Sequence, residues 1–376
     1  MRIAVVGGGI IGCLVARAAL AALPRAEVTL IERDVVGLGA SQRSAGVHFP
    51  MGRTDRVRAM SVNSQAYYDD LKARFPALPI YPLALDVAAS IETAAALHSR
   101  FVNPGPLQTM NPAPGVPIPW PDGGVTWHLP GCHVTDVGDL VRALAFELRE
   151  RAEVIEGVRV RAVAERRHTV SIGLGTAETR EFDKVVLATG PWVNASEWRE
   201  YTAGLGVRVK KIVSLHLDQP LRDGHPLRDS DAGIFFPEED AFLIPLPHRR
   251  HWLFSYTCLE WDVLPDELHD GVSEANLTEA RAVLARFSPQ LASRLRSGRV
   301  FCDAYSPARE PLITTVGETG NVVFAGAANG SGYRLGPAIA ADAVRLLADD
   351  GVAPPTALRG IVRHSIPVED PVKREG

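Results

Sequence analysis

The stretch that most constrains this chain is "RIAVVGGGIIG" at residues 2–12, where an apolar strand runs without a spacer into three glycines and then a helix. Gly7, Gly9 and Gly12 stand in the G-x-G-x-x-G spacing. In that pattern the first glycine turns the chain, the second admits a pyrophosphate and the third lets helix lie on strand. A helix predicted over Ile10–Leu23 presents free N–H groups and the positive end of its dipole, which hold an anion without a basic side chain. The next strand, "EVTLIE", ends at Glu32, about 20 residues beyond the last glycine, where a carboxylate accepts ribose hydroxyls and repels a 2′-phosphate. The pattern favours FAD or NAD over NADP. A tight strand–helix turn that binds nothing is the alternative; the strand before, the helix after and the acid beyond argue against it.

At 376 residues the chain exceeds one ordinary core, and two domains are expected. Its 40 basic and 44 acidic side chains leave a net charge of −4 with no basic stripe, which speaks against nucleic acid as a partner. Cysteines at 13, 132, 258 and 302 have neither metal-ligand nor disulfide-framework spacing and read as buried thiols, so no metal site is expected. With no leader pattern and no apolar run of about 20 residues, the expectation is a cytoplasmic protein without an integral membrane segment. Lysine occurs only at 72, 184, 210, 211 and 373.

Beyond the first β-α-β unit, "VVGLGASQRSAGVHFPMGR" is a glycine- and serine-rich loop, followed by a helical pattern from Val57 to Arg74 with Tyr67, Tyr68 and Leu71 on one face. Residues 76–130 are proline-rich, with a turn signal at "PDGG" (121–124). "TDVGDLVRALAFELRERA" predicts a helix with Asp136 as N-cap and Asp139 at N3. "FDKVVLATGPW" is a buried strand ending in a glycine turn, and "NVVFAGAANGSGYRLGPAIAADAVRLLADDG" is another strand, glycine turn and helix, closing at Gly351 before a loosely packed tail. Between 202 and 299 lie short strands and a helix near Ser273–Phe287, which predict an antiparallel sheet. The fold class is therefore mixed α/β in two domains. A Rossmann-like dinucleotide domain is assembled from 1–75, 131–200 and 300–376. A mainly antiparallel substrate domain is formed by 76–130 and 201–299.

With "VVGGGIIG" and Glu32, "GASQRSAG" (39–46), "VVLATGPW" (185–192) and "FAGAANGSGYRLGPA" (324–338), the chain resembles the D-amino-acid oxidase superfamily of FAD-dependent amine oxidoreductases over essentially its full length. Its pattern is that of glycine oxidases and monomeric sarcosine oxidases. The resemblance implies FAD, with Ile10 and Ile11 at the pyrophosphate and Glu32 and Arg33 at the adenosine ribose. Ser41, Arg43, Ser44, Ala45 and Gly46 would lie along the flavin side and Val160 against adenine, with Ala188, Thr189, Gly190 and Trp192 closing over the cofactor. Gly330, Ser331, Gly332, Tyr333 and Arg334 would lie at the flavin's pyrimidine end, where a helix N-terminus offers donors to the negative charge of the reduced ring.

Arg334 matches the cation that sarcosine oxidases place against the substrate carboxylate, and a positive charge at a helix start needs such a reason. Tyr305 matches a position facing the flavin, arginine in glycine oxidases and tyrosine in sarcosine oxidases; a tyrosine packed at a strand end is the alternative. His48 could reach the pocket or act as a hydrogen-bonded spacer. Where sarcosine oxidases carry arginines just after the flavin loop, this chain reads "VHFP", so no second carboxylate clamp is evident there. Their covalent flavin cysteine aligns with Asp303, with Cys302 one position off and hence on the opposite strand face, so the FAD is expected to be noncovalent. Their oxygen-promoting lysine has no counterpart in "HRRHWLFSYT", and Lys210 and Lys211, on another strand, are expected to be solvated. The expected activity is hydride removal from a C–N bond of a small amine or amino acid, with oxygen or another electron acceptor. A 2-hydroxy acid dehydrogenase and a non-catalytic FAD-binding subunit of a larger complex are the alternatives.

Overall fold

The structure, a computed structural model, describes residues 1–109, 124–217, 231–268 and 271–348. The "PDGG" turn, apart from Gly124, and the chain beyond 348, including the closure at Gly351, lie outside the described residues. Around the first glycine turn stands a six-stranded sheet in the order Leu312–Val316, Val322–Gly326, Lys184–Leu187, Arg2–Val6, Glu27–Ile31, Glu153–Ile155. Neighbours are parallel except for the antiparallel Leu312–Val316 edge.

Alternate residues of the central strand feed two cores, because successive side chains of a strand point to opposite faces. Ile3 and Val5 join the cluster formed with the helices Ile10–Ala22 and Gly332–Leu347. Ala4 and Val6 face Val163, Ile172 and Phe182 of a three-stranded antiparallel sheet, Val160–Glu165, Val170–Leu174 and Glu178–Phe182. This burial on both faces is why the strands of "RIAVV" and "KVVL" read as continuous apolar runs.

Two glycines of the first turn are required by close backbone approach. Gly7 has φ +108, and a Cβ there would stand 2.4 Å from the Ala188 carbonyl oxygen; a Cβ on Gly12 would stand 1.8 Å from the Gly7 carbonyl oxygen. Helix, turn and the neighbouring strand end at Ala188 are thereby pressed together, and any side chain would force them apart.

The second large sheet has eight strands in the order Ser297–Tyr305, Arg208–Leu217, His251–Tyr256, Ala241–Leu246, Gly233–Phe236, Leu85–Ser90, Gly124–Leu129, Gln108–Thr109. It is antiparallel but for the pairing of Gly233–Phe236 with Leu85–Ser90. Helix Glu274–Ala285 packs on one face through Leu277, Ala280 and Leu284, and its Ser273 and Asn276 form a reciprocal cap. Strand Ser297–Tyr305 runs past residue 299, where the sequence boundary was drawn, and pairs with Arg208–Leu217 through Tyr305. A small sheet of Val47–His48, His133–Thr135 and Ile80–Pro82 lies at the junction.

The helix Asp55–Arg74 buries Tyr67, Tyr68 and Leu71 as its periodicity predicts, and the Thr54 hydroxyl caps Val57 N–H at 3.3 Å. Asp136 precedes the helix Val137–Leu148 but makes no side-chain cap, a correction to the sequence reading. Its carboxylate is taken by Arg249 and by His248 at 3.3 Å, and these contacts hold it below the usual carboxylate range despite its burial.

Candidate active site

Between the two large sheets lies a cavity of about 1540 Å³, above the roughly 300–1,000 Å³ common for one small ligand. Its wall contains Gly7, Gly9, Ile10, Ile11, Glu32, Arg33, Ser41, Arg43, Ser44, Ala45, Gly46, Val160, Ala188, Thr189, Gly190, Trp192 and Gly330–Arg334, so one cavity joins four sequence motifs. Gly12 stands behind the wall, where its part is the helix–turn contact.

The helices Ile10–Ala22 and Gly332–Leu347 open at this cavity with no cap from the side chains of their N-cap residues. Ile10–Ala22 follows Gly9 and Gly332–Leu347 follows Ser331; neither has an acidic residue in its first turn. The Ile10 N–H donates to Ser41 Oγ at 3.0 Å. Uncapped N–H groups with aligned dipoles fit anionic ligand groups, and two such termini in one cavity suit a pyrophosphate at one and an electron-rich ring at the other.

At the end of the second strand, Glu32 accepts from Gly8 N–H at 2.7 Å through one oxygen and from Asp34 N–H at 3.0 Å through the other. Burial nevertheless raises its pKa. A carboxylate has about four lone-pair sites, so two remain for ribose hydroxyls. Beside it the Arg33 guanidinium lies 4.0 Å over the Trp192 ring and forks onto Asp266 at 2.8 and 3.3 Å. Trp192 Nε1–H donates to the same Asp266 at 2.8 Å.

At the far end, Arg334 donates through Nη2 to Ser331 Oγ at 2.9 Å and through Nη1 to the carbonyls of Met51 and, at 3.5 Å, Phe49. Its guanidinium stacks 4.9 Å from the Phe49 ring. Among the described residues no carboxylate pairs with it, and burial lowers its pKa to about 10. Tyr305 is also in the wall, its ring edge-on to Trp261 at 5.2 Å. Next to it Asp303 faces inward, its carboxyl accepting from Ala304 N–H at 2.8 Å and bonded by the Gly330 amide, with its pKa pushed up to about 6 by burial.

His48 departs from expectation. It is fully buried, stacked 4.7 Å from the parallel His133 ring, and the wall is made by its neighbours Val47 and Phe49 instead. Alternation along the strand turns His48 inward, beneath the Tyr68–Tyr333 contact. Lys210 and Lys211 also correct the sequence reading: each is buried, Lys211 paired with Glu260 at 3.0 and 3.1 Å and Lys210 in the cavity wall. Cys302 packs in the core behind the wall, on the face opposite Asp303. Asp266 and Trp261 are wall residues that the sequence did not single out, and Lys210 and Asp303 are wall residues to which it gave no role. For the lysines the sequence shows only that two in succession on a strand take opposite faces, not that both faces are covered.

A sequence model of the family described as FAD dependent oxidoreductase (DAO) matches residues 2–346. The chain belongs to this FAD-dependent oxidoreductase family. A search of the curated proteins finds no match. Among solved structures, glycine oxidase from Geobacillus kaustophilus superposes with TM-score 0.71 at 20% identity, covering 97% of this chain and 99% of its own. L-proline dehydrogenase from P. horikoshii gives TM-score 0.75 at 17% identity, covering 92% and 93%. The dithionite-reduced L-alpha-glycerophosphate oxidase from Mycoplasma pneumoniae with FAD bound gives 0.75 at 16% identity, covering 92% and 94%. The family's FAD fits the wall described above. No helix among the described residues is long and apolar enough to cross a membrane, and none of their His, Cys, Asp and Glu residues cluster as metal ligands.

Proposed function

We propose that this FAD-dependent oxidoreductase oxidises a C–N bond of a small amine or amino acid whose carboxylate is held by Arg334. The observation that carries the reading is the state of Arg334: a guanidinium set into the cavity wall, oriented by carbonyls and a hydroxyl, with no carboxylate on it among the described residues. A planar fork so placed recognises a carboxylate bidentately. Bound FAD supplies the hydride acceptor. Asp303 favours an amine over a hydroxy acid, because a buried carboxyl in the same wall attracts an ammonium and can accept its proton, whereas a hydroxyl gains little from it. Tyr305, between Asp303 and the last helix, would bound the substrate pocket. His48 would act from behind the wall, packing the small sheet.

The test is anaerobic mixing of the flavin-loaded protein with amines, amino acids and 2-hydroxy acids while the flavin absorbance is followed. Bleaching by an amine or amino acid is expected. Bleaching confined to hydroxy acids would move the reaction to C–O oxidation, and no bleaching by any of them would favour a non-catalytic flavin subunit. Peroxide in aerobic turnover separates oxygen from another acceptor.

A further inference from the structure

We propose that Lys210 is a second anion-binding position in the cavity, and that the substrate carries a second carboxylate besides the one held by Arg334. The inference rests on the reading of Arg334 above and deepens it.

Lys210 and Lys211 are successive residues of the strand Arg208–Leu217, so their side chains take opposite faces. Both are about equally buried, at 6% and 7% exposure, yet only one is neutralised. Lys211 has Glu260. The Lys210 ammonium has, among the described residues, no hydrogen bond and no carboxylate at ion-pair distance; it lies 5.3 Å from the Trp261 ring centroid and 5.5 Å from that of Tyr305. The two acids nearby are engaged elsewhere. Asp303 stands opposite Lys210 in the strand pairing but turns to the Ala304 and Gly330 amides, and Asp240 accepts from the Thr257 hydroxyl at 2.6 Å.

Taking an ammonium out of water is costly, and an aromatic cage returns part of that cost at most. Burial accordingly lowers the Lys210 pKa. A lysine needed merely to fill this place would be better replaced by an apolar chain of the same length, so the charge has a use that only an incoming anion supplies. That anion belongs to the same small molecule as the one on Arg334. Tyr305 touches both stations: its ring flanks Lys210 and its hydroxyl lies against Gly330, next to Ser331, which holds Arg334. With Asp303 between, the wall presents two cations and one acid, complementary to an amino acid bearing two carboxylates.

Non-reactive acids test this without turnover. The FAD-loaded protein is titrated with glutarate and with butyrate, which share a carboxylate and a short chain, and the shift of the flavin spectrum gives each Kd. Glutarate is expected to bind at least about ten-fold tighter, with Lys210→Met removing the preference while leaving butyrate within about two-fold, and Lys210→Arg keeping much of it. Equal affinities in the wild type overturn the proposal, whatever any variant does. So does a preference that survives Lys210→Met, or a Lys210→Met protein that folds but no longer holds FAD, which would make Lys210 a cofactor contact. Because no step of catalysis is read, a protein bleached by amines but indifferent to glutarate loses this inference alone. One that prefers glutarate but is bleached by no amine loses the proposed reaction and keeps the second anion position.

Discussion

Arg334 sits in the first turn of the last helix, where a positive charge opposes the dipole and burial opposes the charge itself. An anion on the guanidinium relieves both. Replacing it by alanine should therefore lower kcat/KM for the true substrate by the worth of a desolvated charged contact, on the order of 2–5 kcal/mol. FAD content, read from the visible spectrum, should be unchanged. Lysine should rescue in part, keeping charge without the planar fork; an alanine variant with full kcat/KM would remove Arg334 from the site. Asp303 gives a pH-dependent counterpart. Its folded pKa of about 6 lies above the ordinary 3.8, so the folded state holds this proton more tightly than the unfolded chain. The resulting stabilisation is complete below about pH 4 and lost as pH rises through 6, leaving an ionised buried carboxylate near neutrality. Asp303→Asn should thus raise stability at pH 7.5, on the order of 2–3 kcal/mol at most, with the gain vanishing near pH 4. Thermal unfolding at the two pH values checks this, and an equal gain at both would mean that the carboxyl is not titrating there.

Single carboxylates also tie whole elements together. Asp266, on the segment that follows the second sheet's strand His251–Tyr256, reaches the end of the first sheet and takes both Arg33 and Trp192 Nε1–H. These partners form the cavity wall beside Glu32, so the contact acts as a strap across the expected nucleotide end. Asp266 is about half exposed and the ion pair is correspondingly weak. Asp266→Ala is expected to raise the FAD dissociation constant roughly three- to ten-fold, measured by flavin fluorescence on reconstitution, with the fold intact by circular dichroism; unchanged affinity would reduce the strap to a surface contact. Elements of this kind differ in how legible they are. The strand–glycine–helix junctions could be read because Gly7 and Gly12 have no alternative to glycine and because the buried strands are apolar on both faces. The partner of Asp136 could not be read, since a helix N-cap and a distant arginine compete for one carboxylate and local sequence shows only the first. Likewise, "VHFP" shows a histidine but not which way a two-residue strand turns it.

At the scale of the molecule, two sheets made of interleaved segments meet at one cavity, and its wall draws on residues from Val6 to Leu335. Motifs marked the wall wherever backbone approach demands glycine. Asp266 escaped because it meets Arg33 and Trp192 from a short helical turn far along the chain, and the roles of Lys210 and Asp303 escaped because they lie in strand pairing: Lys210 stands opposite Asp303, some ninety positions later. The same pairing bears on how flavin is attached. Cys302 is turned into the core, and Cys258, which does reach the wall, is a buried thiol with a raised pKa and so a poor nucleophile. Acid precipitation should release the flavin and leave a colourless pellet; a yellow pellet would establish a covalent link. The central strand Arg2–Val6 leaves the ribosome about three hundred residues before the strand Val322–Gly326 that completes its side of the sheet and the helix whose start closes the cavity. Because domains form as units during synthesis and long-range pairing is slow, the glycine turn must wait for three hundred further residues before it has anything to close against. A chain stopped after Pro311 should stay colourless when FAD is offered, and recovery of bound flavin from such a fragment would show that the turn and Glu32 suffice without the returning strand. Until the last helix emerges, the nascent chain is an apolar sheet edge in search of a partner, which makes this stage of synthesis, rather than the finished enzyme, the point most exposed to aggregation.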